Sequence, residues 1–172
     1  MRKILSILFI VFIAYSCQMI FGEDDKLTME RKNYYGNELK LNGYYYHKAH
    51  GMIYTYFLFR NGLIFESAGS FKTEKWSEYE KKLKDTVSAN KSASLKYNWG
   101  VFQIKESILQ FEKWYPSERP YRVSKKFGRI INDSTFIIID TINNNGEFFP
   151  KQYRYHYKRF ENKVDSITDF ID

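Results

Sequence analysis

The chain has 172 residues, with 27 Lys or Arg, 20 Asp or Glu and a single cysteine. This length suits one domain with its own hydrophobic core. The formal net charge of +7 comes from basic residues scattered among acidic ones, a distribution that argues against nucleic acid as a partner. A lone cysteine excludes a disulfide framework. Aromatic residues make up 19% of the chain, so we expect large rings to supply much of the packing.

Residues 1–16 have the parts of a secretory signal in order. Arg2 and Lys3 give a positive start, an apolar run follows, and Ser16 stands directly before Cys17. This segment resembles the signal of bacterial lipoproteins of the Bacteroidetes kind, in which the cysteine after the cut is diacylated. The resemblance implies that residues 1–16 are removed and that Cys17 carries fatty acyl chains such as palmitate, which anchor the protein stably in a membrane.

Two alternatives stay open at this N terminus. The apolar run could continue through Phe21 and serve as an uncleaved anchor, because a helix of that length approaches the thickness of a bilayer core. Cleavage could also release a secreted protein with a free thiol at Cys17. The resemblance favours a membrane-anchored lipoprotein of a Gram-negative cell envelope, with the outer membrane as the expected location and the membrane face left open.

Residues 17–40 are mixed and polar, with an acidic cluster that begins at Glu23 and no sustained apolar period. We expect them to form a flexible tether behind the lipidated cysteine. A disordered chain of about 20 residues has a reach of roughly 25 Å, enough to hold a folded domain clear of the lipid headgroups.

From Leu41 onward, short alternating runs separated by turn residues predict a series of β-strands. The predicted strands cover residues 41–47, 52–60, 63–67, 95–104, 108–115, 121–131, 135–142 and 148–160. Between the second and third of these, Asn61 and Gly62 predict a type I′ hairpin, because that turn needs positive φ at both central residues. The last strand places Tyr153, Tyr155 and Tyr157 on one face.

One amphipathic helix is predicted inside the strand series, over residues 74–87. Apolar residues recur there at helical spacing from Trp76 to Val87, and Thr73 can cap the start. Acidic residues among the lysines reduce the charge that a membrane-surface helix needs. We therefore expect this helix to lie across a barrel end or a sheet face.

Eight antiparallel strands with short connections predict a mainly β fold over residues 41–160, followed by a tail over 161–172. A twisted sheet of that size removes its edges by closing on itself, so we expect an up-and-down barrel with one internal helix. The interior of such a barrel is either an open cup or filled by side chains, depending on the residues inside.

Gly43 and Tyr45 resemble the Gly-x-Trp segment that opens lipocalin-like barrels, with Tyr45 standing where that family has Trp. Lipocalins bind small apolar molecules in the barrel mouth. The resemblance therefore implies a ligand site there, with Tyr45, Phe57 and Phe102 as candidate lining residues.

No catalytic, cofactor or metal site is predicted. His47 and His50 are close in sequence but lack acidic neighbours, and His156 shares a strand face with two cations, so no set of zinc ligands forms. Neither a Gly-x-Ser-x-Gly elbow nor a Gly-rich phosphate loop occurs. We expect a non-enzymatic envelope protein that binds a small apolar ligand. The alternative is an accessory subunit that docks on an envelope protein complex through its Tyr-rich surface.

Overall fold

The computed structural model describes residues 22–67, 75–88, 93–116, 120–143, 145–161 and 166–171. The predicted signal peptide, the lipidation candidate Cys17 and the capping candidate Thr73 lie outside the described residues. The described residues contain a strand series that matches the predicted one closely, together with the predicted helix.

In chain order the strands are β1 (Gly43–Ala49), β2 (Met52–Leu58), β3 (Leu63–Ser67), β4 (Trp99–Lys105), β5 (Ile108–Tyr115), β6 (Arg122–Asn132), β7 (Thr135–Ile142) and β8 (Phe148–Arg159). Helix α1 (Trp76–Ser88) lies between β3 and β4, and a 3₁₀ turn (Lys96–Asn98) precedes β4. Each strand pairs antiparallel with the next, and β8 pairs with β1 to close the barrel. The predicted mainly β fold, an antiparallel up-and-down barrel of eight strands with one internal helix, is confirmed.

Side chains alternate between the inside and the outside of the barrel, and under helix α1 both faces of the sheet are apolar. Strand β2 illustrates this, because Tyr56 and Leu58 belong to the interior cluster while Phe57 belongs to an outer one. The buried strand residues of the interior cluster are Tyr45, Tyr56, Leu58, Ile64, Phe102, Leu109, Phe111, Phe136, Ile138 and Tyr155. Because these residues come from strands all around the ring, they fill its centre.

Helix α1 covers the outer face of β1–β4, which is one of the two placements expected for it. Tyr79 and Leu83 on the helix are fully buried against the outer cluster. The hydroxyl of Tyr79 donates a hydrogen bond of 3.0 Å to Oγ1 of Thr55 on β2, and the hydroxyl of Tyr44 donates one of 2.9 Å to the carboxylate of Glu80. Hydrogen bonds as well as apolar packing therefore hold the helix against the sheet.

Residues 22–40, which we call the strap, lie against the barrel over its height, whereas the sequence predicts a flexible tether there. Near the start of the strap, the amide of Asp25 donates to the carbonyl of Tyr121 at 2.9 Å. Near its end, the amide of Lys40 donates to the carbonyl of Asp133, also at 2.9 Å. The strap is thus part of the folded domain.

The carboxylate of Glu112 holds the middle of the strap. This side chain points outward from β5 and is only 1% exposed. It accepts hydrogen bonds from the amide of Thr28 at 2.7 Å, the amide of Met29 at 2.5 Å and the hydroxyl of Thr28 at 3.1 Å. Nζ of Lys125 lies 3.7 Å away. These donors replace the water molecules that the carboxylate loses on burial. They explain why the strap, although polar in sequence, is ordered against the barrel.

The connection between β2 and β3 is a hairpin, as predicted, but its turn is not type I′. Of the loop residues only Gly62 has positive φ, at 81°. The amide of Phe59 donates to the carbonyl of Leu63 at 3.0 Å, and the amide of Gly62 donates to the carbonyl of Phe59 at 3.1 Å. This is the three-residue loop in which a left-handed residue forms a bulge. A β-carbon on Gly62 would lie 2.1 Å from the carbonyl oxygen of Lys32 in the strap.

The two ends of the barrel differ. At the end where β1 begins, Tyr34 and Leu39 of the strap are buried in the interior cluster, and the ring centroids of Tyr34 and Phe102 lie 5.6 Å apart. We call this the closed end. The opposite end, where β5 ends and β6 begins, is called the mouth.

Candidate functional site

A cavity of about 580 Å³ opens at the mouth; we call it the cup. Its walls come from the end of β5, the beginning of β6, the end of β7 and the beginning of β8. Among its lining residues are Tyr115, Ser124, Lys126, Ile138, Phe149 and Tyr155. The volume lies in the range typical of small-molecule sites, which are mostly apolar with a few polar groups.

Below the cup, the interior of the barrel is packed with rings. Phe102, Phe111 and Phe136 are fully buried. The rings of Phe136 and Tyr155 stack with centroids 5.1 Å apart and planes 11° apart. The barrel is therefore filled by side chains at its closed end and open at its mouth. The sequence left open whether the interior is a cup or is filled, and each alternative holds for one half of the barrel.

A polar cluster that we call the floor adjoins the cup, which Lys126 of this cluster lines. It consists of Glu66, Lys113, Lys126 and Tyr56. Nζ of Lys113 forms an ion pair with the carboxylate of Glu66, and the Lys113 side chain is only 5% exposed. Nζ of Lys126 donates to the hydroxyl of Tyr56 at 2.8 Å, and that hydroxyl is also hydrogen-bonded to Glu66. The four side chains thus form one connected network.

Among its four described side chains, the floor has two lysines and one carboxylate. Burial opposes ionisation of Glu66, but Lys113 and Lys126 outweigh it and hold the pKa of this carboxyl below its ordinary value. Burial raises the pKa of Tyr56 well above its ordinary value, and burial does the same to the pKa of Tyr155. Both phenols therefore stay neutral at physiological pH, and two ammonium groups face one carboxylate.

Lys126 is the cation of the floor that lines the cup. Its Nζ lies 5.7 Å from the ring centroid of Phe111, a distance at which an aromatic face attracts a cation. A molecule with an apolar body could lie between the aromatic walls of the cup and place an acidic group against this ammonium group.

His47 lies beside the cup on the inner side of β1. Its ring centroid is 4.8 Å from that of Tyr153 and 5.4 Å from that of Tyr155. Nδ1 lies 3.1 Å from the carbonyl oxygen of Arg154, which assigns the ring proton to Nδ1. Within the described part of the chain, the buried Nε2 atom has no hydrogen-bond partner. His47 therefore presents a ring nitrogen without a hydrogen-bond partner next to the cup walls.

The three lining candidates from the sequence fall on two faces of the sheet. Tyr45 and Phe102 meet in the interior cluster below the cup, and the hydroxyl of Tyr45 donates to the carbonyl of Asp133 near the closed end at 2.9 Å. Phe57 instead belongs to the outer cluster beneath α1. Its neighbour Tyr56 occupies the inward position, so strand alternation keeps Phe57 out of the barrel.

The residues that form the cup and the floor were not singled out from the sequence. Tyr153, Tyr155 and Tyr157 share one face of β8, as predicted, and this face is the inner one. Their alternation was the signal in the sequence that could have indicated the wall of the cup. By contrast, Lys125 and Lys126 are adjacent and point to opposite faces. The alternating pattern does not determine which of the two side chains lies inside the barrel.

Among the described residues, no group of three or more His, Cys, Asp or Glu side chains is arranged to hold a metal ion. Over the same ranges, no helix combines the length and the apolar character needed to cross a membrane. No protein-family model, no curated protein and no solved structure matches the chain. The cup and the floor are therefore the features from which a function can be inferred.

Proposed function

We propose that the protein is a membrane-anchored envelope lipoprotein whose non-enzymatic barrel binds a small apolar molecule bearing an acidic group. The single observation that carries the binding proposal is Lys126, an ammonium group that lines an aromatic cup and belongs to a floor with more cations than carboxylates.

The apolar part of the ligand is inferred from the walls. Tyr115, Phe149 and Tyr153 line the cup together with Ile138. Burial of apolar ligand surface against such side chains contributes roughly 25 cal/mol per Å². A ligand that fills much of the cup would thus gain most of its affinity from these contacts.

The acidic group of the ligand is inferred from the floor. Glu66 forms its ion pair with Lys113, while Lys126 makes its described hydrogen bond to the neutral hydroxyl of Tyr56. Lys113 and Lys126 share this one carboxylate, so an incoming anion would add a second negative charge beside Lys126. A hydrogen bond to a charged group contributes about 1.5–3 kcal/mol.

The binding proposal is tested with two dyes of similar shape, the anionic anilinonaphthalene sulfonate and the uncharged phenylnaphthylamine. In fluorescence titrations, Lys126→Met should weaken sulfonate binding about 10-fold to 100-fold and leave the uncharged dye nearly unaffected. Arg129→Met is the matched control, because it removes a cation from the exposed outer face of the same strand. Failure of both dyes to bind, or equal losses for both dyes, would refute the proposal.

Membrane anchoring is the second part of the proposal and is supported by the resemblance of residues 1–17 to a lipoprotein signal. Replacement of Cys17 by serine should abolish acylation and processing at this site. A Cys17→Ser product that still sediments with membranes at the usual processed mass would refute lipid anchoring, whatever the dye titrations give.

The lipocalin-like assignment belongs to the same proposal. It is supported by the close approach of β1 and β8 at Gly43, where a β-carbon would lie 2.1 Å from the carbonyl oxygen of Lys158. It is also supported by the inward position of Tyr45, the residue that stands in the place of the family's Trp.

A further inference from the structure

Exposed rings from β5 and β8 lie at the opening of the cup. Tyr115 at the end of β5 and Phe148 at the beginning of β8 are each 58% exposed, Phe149 is 43% exposed and Tyr153 is 37% exposed. We call these four residues the rim. Neighbouring exposed apolar side chains at one end of a domain mark a surface that contacts something other than water.

The chain enters the barrel at this same end. A β-carbon on Gly22 would lie 3.5 Å from Cγ of Pro120, which precedes β6. The carboxylate of Asp24 accepts from the amide of Tyr121 at 2.8 Å, and the carboxylate of Asp25 accepts from Arg122 at 2.9 Å. Arg122 also lines the cup, so the first described residues are held at the mouth.

This attachment limits the distance between the mouth and a lipid anchor. Cys17 precedes Gly22 by five residues, and a fully extended chain covers at most about 3.6 Å per residue, or about 18 Å in total. The closed end is much farther away, because β6 has 11 residues and a tilted strand of that length spans about 30 Å.

We propose that the rim docks on the lipid bilayer in which Cys17 is anchored, so that the cup opens toward the membrane. This inference rests on the proposed lipid anchoring of Cys17. Tyrosine and phenylalanine rings are suited to the boundary between headgroups and acyl chains. In this orientation, a poorly soluble ligand passes between bilayer and cup without crossing bulk water.

The experiment uses the acylated mature protein, which begins at Cys17, purified from membranes and reconstituted in phospholipid vesicles. Because acylation blocks Cys17, a fluorescent label reaches only an introduced cysteine. Phe148→Cys places the label on the rim, at a position outside the cup lining. Ile131→Cys is the matched control, since Ile131 is 48% exposed at the closed end. Nitroxide-bearing lipids should quench the label at 148 several-fold more strongly than the label at 131.

Each other outcome overturns docking in a distinguishable way. Vesicle flotation with equally weak quenching at both positions would refute docking and leave the anchor intact. A label at 148 that is shielded from water but not quenched would indicate a protein on the rim, either a second copy or another partner. Absence of flotation would refute the anchor and docking together, while ligand binding is judged separately by the dye titrations.

Discussion

Removal of the Glu112 carboxylate should release the strap from the barrel. In the folded protein this carboxylate accepts two backbone hydrogen bonds, from Thr28 and Met29, through a single oxygen atom. Glu112→Ala leaves both amides without that acceptor. Glu112→Gln keeps an oxygen that can occupy the same position, so it should retain both bonds in a weaker, uncharged form.

The expected magnitudes follow from these bonds. A hydrogen bond to a charged group contributes about 1.5–3 kcal/mol, so loss of the two backbone bonds in Glu112→Ala should lower the free energy of unfolding by about 4 kcal/mol. Charge-assisted hydrogen bonds are about twice as strong as neutral ones, so Glu112→Gln should cost about half as much. For a protein of this size, 1 kcal/mol corresponds to about 2–4 °C in Tm. The expected decreases in Tm are therefore about 12 °C for alanine and about 6 °C for glutamine.

Thermal unfolding followed by circular dichroism measures these decreases, and trypsin tests the strap directly, because Lys26, Arg31 and Lys32 are cleavage sites within it. Glu30→Ala is the control. The Glu30 side chain is 74% exposed in its ion pair with Lys32, and such surface pairs contribute less than about 1 kcal/mol. A Glu112→Ala variant with the Tm and trypsin resistance of the Glu30 control would refute this account of the strap.

Two further predictions concern the floor and the hairpin. The pKa of Glu66 is held below its ordinary value of 4.5, so its ionised form stabilises the fold above that pH, and the contribution disappears as the pH falls through the lowered pKa. Glu66→Gln, which leaves buried Lys113 without its counter-ion, should cost about 3 kcal/mol at neutral pH. In urea unfolding this difference from the wild type should shrink at acidic pH, and a difference that is independent of pH would contradict the pairing. Gly62→Ala combines a positive φ of 81° with a β-carbon 2.1 Å from the carbonyl oxygen of Lys32, whereas Gly51→Ala has a φ of 70° and open space. Gly62→Ala should therefore lower Tm clearly more than Gly51→Ala. Equal decreases would show that the strap moves away from residue 62 at little cost, which would contradict its close packing there.

The positions of the strands could be predicted because alternation is a local property. In β2, Tyr56 and Leu58 lie on one face and Ile53 and Phe57 on the other, as the pattern predicts. The pattern could not show which face is inside. Both faces of β2 are apolar, because helix α1 covers the outer one. This packing is a tertiary contact that the sequence of β2 alone does not reveal.

The order of the strap and the assembly of the floor were not predicted, for different physical reasons. Glu112 binds backbone amides of residues more than 80 positions away, and every residue other than proline has such an amide, so no sequence pattern marks the partners. The floor joins Glu66 on β3, Lys113 on β5 and Lys126 on β6. Their meeting depends on strand register around the ring, which single-strand patterns do not determine.

The pairing of β1 with β8 makes the barrel dependent on its final strand. These two strands come from opposite ends of the domain, and contacts between distant parts of a chain form slowly because a long loop must first close. Until β8 arrives, β1 and β7 are open sheet edges that can recruit other chains. A protein truncated after β7 should consequently aggregate instead of forming a slightly weaker barrel, and a newly synthesised chain is most vulnerable to aggregation just before its last strand pairs.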